Sequence, residues 1–125
     1  MKKEGRRGPL HFLDALRYSK QGFQAAWRNE TAFRQLCALA VPLVPLAFWI
    51  SRTTVELILM LGACVLVLMA EMFNSAIEAI VDRISTAEHP LSGQAKDLGS
   101  AGTFCTMMLF LLVWVPITWQ RFAGG

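Results

Sequence analysis

The stretch LILMLGACVLVLMA, residues 57–70, contains no polar side chain, and it runs directly into EMFNSAIEAIVDR, residues 71–83. A long apolar run is typical of a helix that crosses a membrane. The second stretch still has helical spacing, but it adds carboxylates that lipid would not tolerate. We therefore predict one long helix over residues 53–85, with a polar face near one end.

Two further apolar runs accompany this helix, and they predict spans over residues 31–50 and 98–121. Each is long enough to cross a hydrocarbon core of ~30 Å, which needs ~20 helical residues. Lipid-exposed spans must be helical, because no water is present to pair their backbone groups. The chain is 54% hydrophobic and only 17% charged, which argues against a soluble domain of this size. We predict an all-α membrane protein, with residues 1–125 forming one domain.

A helix of a different kind is predicted ahead of the first span, over residues 9–28. Leu13, Leu16, Phe23 and Trp27 share one of its faces, and a polar stripe runs beside them. This pattern is typical of an amphipathic helix lying in the membrane surface. It is consistent with a simple anchor and also with a lid over a site at the interface.

Charge indicates the orientation of the spans. Eight of the twelve basic residues lie at or before the start of the first span: Lys2, Lys3, Arg6, Arg7, Arg17, Lys20, Arg28 and Arg34. Basic residues accumulate on the cytoplasmic side of a membrane. We therefore predict a cytoplasmic N-terminus, a cytoplasmic loop over residues 85–97 and an external C-terminus. Topology and anionic lipid explain the basic excess, so we predict no nucleic-acid partner.

The acids of the second span differ in depth. If its apolar part begins at Leu57, Glu71 lies about 21 Å across the bilayer, and Glu78 reaches the cytoplasmic boundary. Glu71, Asn74 and Glu78 are spaced i, i+3, i+7 and share one helical face. A carboxylate inside the bilayer costs about 2.5–3.5 kcal/mol, so this face points to protein or to water. It is either a functional site or an interhelical hydrogen-bond cluster that holds an oligomer together.

Other polar residues are predicted at the same depth. Glu30 precedes the first span, and Lys96 and Asp97 precede the third. Carboxylates from different helices, with no His or Cys nearby, favour a hard cation such as Mg²⁺, which commonly bridges a carboxylate to a substrate phosphate. No GxxxxGK[ST] loop accompanies them, which excludes the phosphate loop of soluble nucleotide-binding enzymes. The glycines of DLGSAG, residues 97–102, favour either a phosphate contact at a helix start or close helix packing.

Two segments resemble the signature of a known family. EMFNSAIEAIVDRIS, residues 71–85, and HPLSGQAKDLGSA, residues 89–101, are similar to the pattern E…NSAIEAVVDR…LSGRAKDMGSA of the prokaryotic membrane diacylglycerol kinases. YSKQGFQAAWRNETAFRQ, residues 18–35, is similar to the surface helix and first-span entry of that family. The resemblance implies a homotrimer in the bacterial cytoplasmic (inner) membrane, with a surface helix and three spans per subunit. It implies that MgATP phosphorylates diacylglycerol in the bilayer.

The resemblance also implies roles for individual residues. Glu30 and Glu78 match the metal-binding acids of the family. Glu71 matches its catalytic base, and Asn74 matches the residue that supports the base. The resemblance thus implies that Mg²⁺ is the cofactor.

Further positions match the binding sites for the two substrates. Lys96, with Asp97 beside it, matches a phosphate-contacting position, and Tyr18 and Ser19 match positions near the nucleotide. The residues predicted to bind the nucleotide are therefore Tyr18, Ser19, Glu30, Glu78, Lys96 and Asp97. Those predicted to bind the lipid are Glu71, Trp27 and Ser100.

Two positions keep an open role. Asp82 matches a family acid that is either structural or nucleotide-related. His11 stands where many diacylglycerol-specific members carry an arginine, and Leu36 stands where some carry an acid. These departures bear on nucleotide affinity and leave the acids and Lys96 unchanged.

Three other functions compete with diacylglycerol kinase. An undecaprenol kinase would share the acids and differ in its acceptor lipid. A small ion carrier would use Glu71 and Glu78 as a relay, but the paired repeats of such carriers are not evident in the sequence. A structural protein would use the polar face only to assemble helices.

Overall fold

The structure is a computed structural model, and it describes residues 8–124. Four helices follow one another: α1 over Pro9–Asn29, α2 over Thr31–Ile50, α3 over Thr54–Ile84 and α4 over Pro90–Phe122. Helices α2, α3 and α4 are long and apolar enough to cross a membrane. The predicted all-α architecture, one amphipathic helix followed by three spans, is confirmed. Four basic residues used to predict the orientation, Lys2, Lys3, Arg6 and Arg7, lie outside the described residues.

The amphipathic helix α1 packs chiefly against α2. Its predicted apolar stripe is exposed, as expected for a helix whose apolar face contacts lipid. Glu30 joins α1 to α2 in an extended conformation, with φ −115° and ψ 105°. Arg34 fixes this joint, because its Nη1 donates to the carbonyl oxygens of Trp27 at 2.7 Å and of Arg28 at 3.1 Å. These carbonyls end α1 and have no partner within the helix.

Helix α3 covers the two stretches quoted above without a break. It begins after Thr53, whose side chain accepts a hydrogen bond from the backbone N–H of Glu56 at 3.1 Å. A threonine in this position stabilises the start of a helix by pairing a free N–H group. The acidic stretch, residues 71–83, therefore belongs to the same helix that Thr53 caps at the opposite end.

Helix α4 begins at Pro90, well before the predicted third span at residue 98. Proline is favoured in the first turn of a helix, and His89 caps that turn by accepting the N–H of Leu91 at 3.1 Å. Hydropathy locates the apolar part of a helix, whereas capping residues decide where it starts. Residues 97–102 consequently lie inside α4, so the alternative of a phosphate contact at a helix start is wrong.

The apolar core lies at the end of the bundle away from the acids. Ala47, Ile50, Met60, Ala63 and Trp114 form one buried cluster. The indole N–H of Trp114 donates to the backbone oxygen of Met60 at 3.1 Å, which joins α4 to α3. These two helices form the most extensive helix pair, and α2 packs on α3. Many large apolar side chains of the spans remain exposed in the single chain, as a surrounding bilayer or further subunits require.

Candidate functional site

The polar face of α3 carries three half-buried side chains, those of Glu71, Asn74 and Glu78. The amide Nδ2 of Asn74 donates to Oε1 of Glu78 at 3.3 Å. This bond joins residues one helical turn apart, as the i, i+4 spacing allows. It restricts the orientation of the Glu78 carboxylate. Asn74 therefore contacts one of the two predicted metal-binding acids directly.

Glu30 approaches this face from the joint between α1 and α2. The carboxylate of Glu71 interacts electrostatically with those of both Glu78 and Glu30. Glu71 therefore lies within electrostatic range of one acid on its own helix and of one from the α1–α2 joint. Like charges in such proximity repel one another, and a bound cation relieves that repulsion.

The donor set fits Mg²⁺ held together with a nucleotide. Over residues 8–124, no three His, Cys, Asp or Glu side chains are close enough to enclose a metal ion by themselves. Mg²⁺ does not require such a cage, because it is usually bound by one or two carboxylates together with phosphate oxygens and water. Glu30 and Glu78 supply oxygen donors only, which matches this preference.

Lys96 and Asp82 form an ion pair between α4 and α3, with Nζ and Oδ1 2.8 Å apart. Both side chains are about half exposed. Asp82, whose role the sequence leaves open, thus has a structural partner. Its carboxylate holds Lys96, the residue that matches a phosphate-contacting position. An open cavity of about 650 Å³ adjoins the pair and is bounded by the α3–α4 loop.

Two nucleotide-associated positions lie apart from Glu30. Tyr18 and Ser19 sit on α1, and Tyr18 precedes Glu30 by about 18 Å at the helical rise of 1.5 Å per residue. The guanidinium of Arg17 lies over the Tyr18 ring, 5.2 Å from its centroid, and the Ser19 hydroxyl donates to the backbone oxygen of Ala15 at 2.8 Å. His11 is exposed in the first turns of the same helix. Tyr18 and Ser19 therefore lie well away from Glu30 along α1.

The remaining predicted residues lie at the surface of the chain. Asp97 and Ser100 are exposed on α4. Trp27 is 54% exposed and lines a shallow hollow with Phe23 and Phe33. The surfaces on which these residues are predicted to bind the substrates are therefore exposed in the single chain.

An apolar crevice lies between α2, α3 and α4, and it extends from the apolar core towards the acids. Its volume is about 320 Å³, and its walls are apolar side chains such as Leu36, Leu68 and Leu111. Leu68 precedes Glu71 by three residues, so the crevice opens less than one helical turn from that carboxylate. A hydrocarbon chain is the type of group that such walls accommodate.

Two residues near the site were not predicted from the sequence. Arg34 orients the joint that carries Glu30, and Gly99 contacts Asn74 across the α3–α4 pair. The only sequence signal for Gly99 was the alternative of close helix packing in residues 97–102, which the structure supports. Neither contact follows from local spacing, because each depends on how two helices are placed against each other.

Sequence comparisons identify the family. The family described as prokaryotic diacylglycerol kinase matches residues 17–118. Over 107 residues the chain is 47% identical to a diacylglycerol kinase of Haemophilus influenzae, covering 86% of this chain and 91% of the relative. Over 114 residues it is 46% identical to a diacylglycerol kinase of Pseudomonas aeruginosa, covering 91% and 93%. It is 38% identical to that of Escherichia coli K12 over 115 residues, covering 92% and 94%. The chain therefore belongs to the prokaryotic diacylglycerol kinase family, as its sequence motifs indicate.

Proposed function

We propose that this membrane kinase transfers the γ-phosphoryl group of MgATP to the free hydroxyl of 1,2-diacylglycerol, giving phosphatidic acid and ADP. The bond between the γ-phosphorus and the bridging oxygen of ATP breaks, a bond to the lipid oxygen forms, and the hydroxyl proton is released. The observation that carries the proposal is that Glu30 and Glu78 both lie within electrostatic range of Glu71 at one end of the bundle.

Glu71 receives or orients the hydroxyl proton of the lipid. It lies deeper along α3 than Glu78, which suits an acceptor hydroxyl just below the bilayer surface. Phosphoryl transfer depends mostly on positioning and charge stabilisation, so orientation of the hydroxyl is a large part of this role. Asn74 supports the site by fixing the Glu78 carboxylate.

Glu30 and Glu78 hold the cation that accompanies the nucleotide. When bound there, Mg²⁺ neutralises negative charge on the phosphate oxygens. Lys96 contacts the phosphates from α4, and Asp82 sets its position through the ion pair. Asp97 lies next to that lysine and completes the phosphate end of the site.

The remaining parts of the nucleotide contact α1, at Tyr18 and Ser19. Because these residues lie about 18 Å along α1 from Glu30, we propose that the site is completed in a homotrimer. The exposed apolar faces of the spans support association with further copies. His11 lies near the start of the same helix and is the least constrained part of the nucleotide site.

Diacylglycerol is the proposed acceptor, and undecaprenol is the alternative. The apolar crevice below Glu71 supports a lipid rather than a soluble alcohol. The named relatives are all diacylglycerol kinases, which favours diacylglycerol over undecaprenol. Trp27 and Ser100 border the acceptor from α1 and α4.

We place the enzyme in the bacterial cytoplasmic (inner) membrane, with the N-terminus and the site on the cytoplasmic side and the C-terminus outside. The basic residues clustered in the N-terminal part of the chain support this orientation. It also exposes Glu78 and Lys96 to the compartment that contains ATP.

The test is a phosphate-transfer assay with the purified chain in mixed micelles. ATP labelled at the γ-phosphate is supplied with diacylglycerol or with undecaprenol, each with Mg²⁺ and with a chelator. We expect label in the lipid extract with diacylglycerol and Mg²⁺, and at least tenfold less in the other three mixtures. Preferential labelling of undecaprenol would select the alternative acceptor, and labelling of neither lipid would refute a lipid kinase.

A further inference from the structure

Gly99 of α4 packs directly against Asn74 of α3. A Cβ atom built on Gly99 would overlap Oδ1 of Asn74, and it would lie 3.4 Å from Cγ of Asn74 and 3.5 Å from Cδ1 of Ile77. Gly62 and Gly102 lie in the same two helices, and a Cβ atom on either would meet nothing within 4 Å. The missing side chain therefore matters at Gly99 and at neither of these two positions.

The contact determines the orientation of the Asn74 amide. Its Nδ2 donates to Oε1 of Glu78 at 3.3 Å. Its Oδ1 is buried and has no hydrogen-bond partner in the part of the chain that the structure describes. A carboxylate accepts hydrogen bonds and donates none when it is ionised, so the amide must direct its NH₂ group towards Glu78. The amide oxygen then packs against Gly99, while the NH₂ group is bonded to Glu78. These two contacts fix the orientation of the amide.

We propose that Gly99 is a positioning residue for the metal site. It leaves the space in which Asn74 can orient Glu78 towards the cation of MgATP. The proposal rests on the function proposed above, and it assigns a role to a residue that contacts neither substrate. Hydrogen bonds to metal-binding carboxylates orient these ligands, and their loss weakens metal binding by about 10- to 100-fold.

Alanine at position 99 separates this role from a role in folding. The atom that the new methyl group would overlap is the far end of a flexible side chain, so the Asn74 amide can turn away while the helices stay in place. Turning breaks the hydrogen bond to Glu78. Gly99→Ala is therefore expected to fold and to bind the metal–nucleotide complex more weakly.

The experiment measures metal binding independently of catalysis. Mn²⁺ replaces Mg²⁺, a non-hydrolysable ATP analogue replaces ATP, and the unbound Mn²⁺ is measured by electron paramagnetic resonance in detergent micelles. We expect Gly99→Ala to raise the dissociation constant of Mn²⁺ by about tenfold. Gly102→Ala is the matched control in the same helix and should leave the constant within twofold of wild type. Equal constants for the two variants would overturn the proposal.

A double-mutant cycle tests whether Gly99 acts through Asn74. Asn74→Ala alone should raise the Mn²⁺ dissociation constant to a similar extent, and adding Gly99→Ala should produce no further rise, because the amide is already absent. Independent effects that multiply in the double variant would overturn the proposal. If Gly99→Ala alone fails to fold, the double variant tests whether the methyl group acts through Asn74, since the truncated side chain leaves room for it. A double variant that also fails to fold, or that binds Mn²⁺ more weakly than Asn74→Ala, would overturn the proposal.

Lipid phosphorylation by the same samples separates the two proposals. At saturating Mg²⁺, turnover by Gly99→Ala should recover most of the wild-type value, while the Mg²⁺ concentration for half-maximal rate rises about tenfold. If the wild-type chain phosphorylates lipid but Gly99→Ala binds Mn²⁺ with normal affinity, only the role of Gly99 is overturned. A wild-type chain that neither binds Mn²⁺ nor phosphorylates lipid overturns both.

Discussion

The two ends of the α3–α4 pair are built in opposite ways. At one end Met60, Ala63 and Trp114 are buried, and the indole N–H is paired with a backbone oxygen. At the other end the acids are half-buried and repel one another, and the Asn74 oxygen is buried without a partner among the described residues. One end pairs the indole N–H that it buries, whereas the other holds like charges near one another and leaves one buried polar atom without a partner in the described chain.

This difference indicates how the chain can maintain an unfavourable site. Burial of apolar surface and satisfied hydrogen bonds at the core end fix the two helices relative to each other. The fixed helices then hold Asn74 against Gly99 and Lys96 beside Asp82 at the other end. Helix α3 itself carries Glu71 and Glu78, and Arg34 fixes the joint that carries Glu30. Natural proteins depart from the rules of stability mainly at functional sites. We therefore expect substitutions at the acid end to change activity, and substitutions at the core end to change the free energy of unfolding.

The largest effect is expected for Glu71→Gln. Loss of the proposed base should lower turnover by about 100- to 10,000-fold, the usual contribution of such a group. The free energy of unfolding should stay constant or rise, because the substitution removes a charge that Glu78 and Glu30 both repel. The measurements are lipid phosphorylation and thermal unfolding in detergent.

Glu56→Gln is the matched control, because it changes the same residue type at the opposite end of α3. Glu56 accepts the backbone N–H of Arg52 at 2.7 Å and lies far from the acid site. It should retain turnover within about threefold, since a single hydrogen bond at a helix start affects stability by about 1 kcal/mol. A Glu71→Gln variant as active as the control would remove the proposed base.

Trp114→Ala tests the core end. Truncating a buried tryptophan creates a cavity and typically costs 3–5 kcal/mol, about the largest loss of stability that one substitution produces. It also leaves the backbone oxygen of Met60 without the indole donor. We expect unfolding at a markedly lower temperature, with turnover per folded molecule nearly unchanged at low temperature.

Trp119→Ala provides the comparison for this variant, because Trp119 is 71% exposed in the same helix. Its unfolding temperature should stay close to that of wild type. If Trp114→Ala abolished turnover while the protein remained folded, the separation between the two ends would be wrong.

Arg52→Gln is expected to have an intermediate effect at the core end. The guanidinium Nη2 donates to the backbone oxygens of Gln120 at 3.2 Å and of Arg121 at 3.1 Å, which end α4. The site is exposed, so we expect a loss of about 1 kcal/mol in the free energy of unfolding. Arg52→Lys should lose less, because it retains a charged donor. Loss of turnover in a stable Arg52→Gln variant would indicate coupling between the ends.

The sequence predicts most of what depends on local pattern. The apolar run of residues 57–70 predicts α3, and the spacing of Glu71, Asn74 and Glu78 places them on one face of that helix. The amphipathic stripe predicts α1 in the same way. Each of these inferences needs only the helical repeat and the cost of burying charge.

Contacts between helices could not be predicted in this way. The start of α4 depends on the His89 cap rather than on hydropathy, so the helix begins before the apolar run that predicts the third span. The Gly99–Asn74 contact and the Lys96–Asp82 pair depend on the register between α3 and α4. Such features are set by packing between distant segments, which a single sequence does not encode locally.

The smallest effect is expected for Asp82→Asn, which tests whether the Lys96–Asp82 pair belongs to the site or to the stable framework. An exposed ion pair contributes about 0.2–1 kcal/mol, so the free energy of unfolding should fall by less than about 1 kcal/mol. Turnover should fall by up to about fivefold, because Lys96 loses the carboxylate that sets its position and the same free energy is expressed in the rate. The difference in turnover between wild type and Asp82→Asn should narrow at high salt, because salt weakens the exposed ion pair that only the wild type has. A loss of stability at constant turnover would assign the pair to the stable framework rather than to the site.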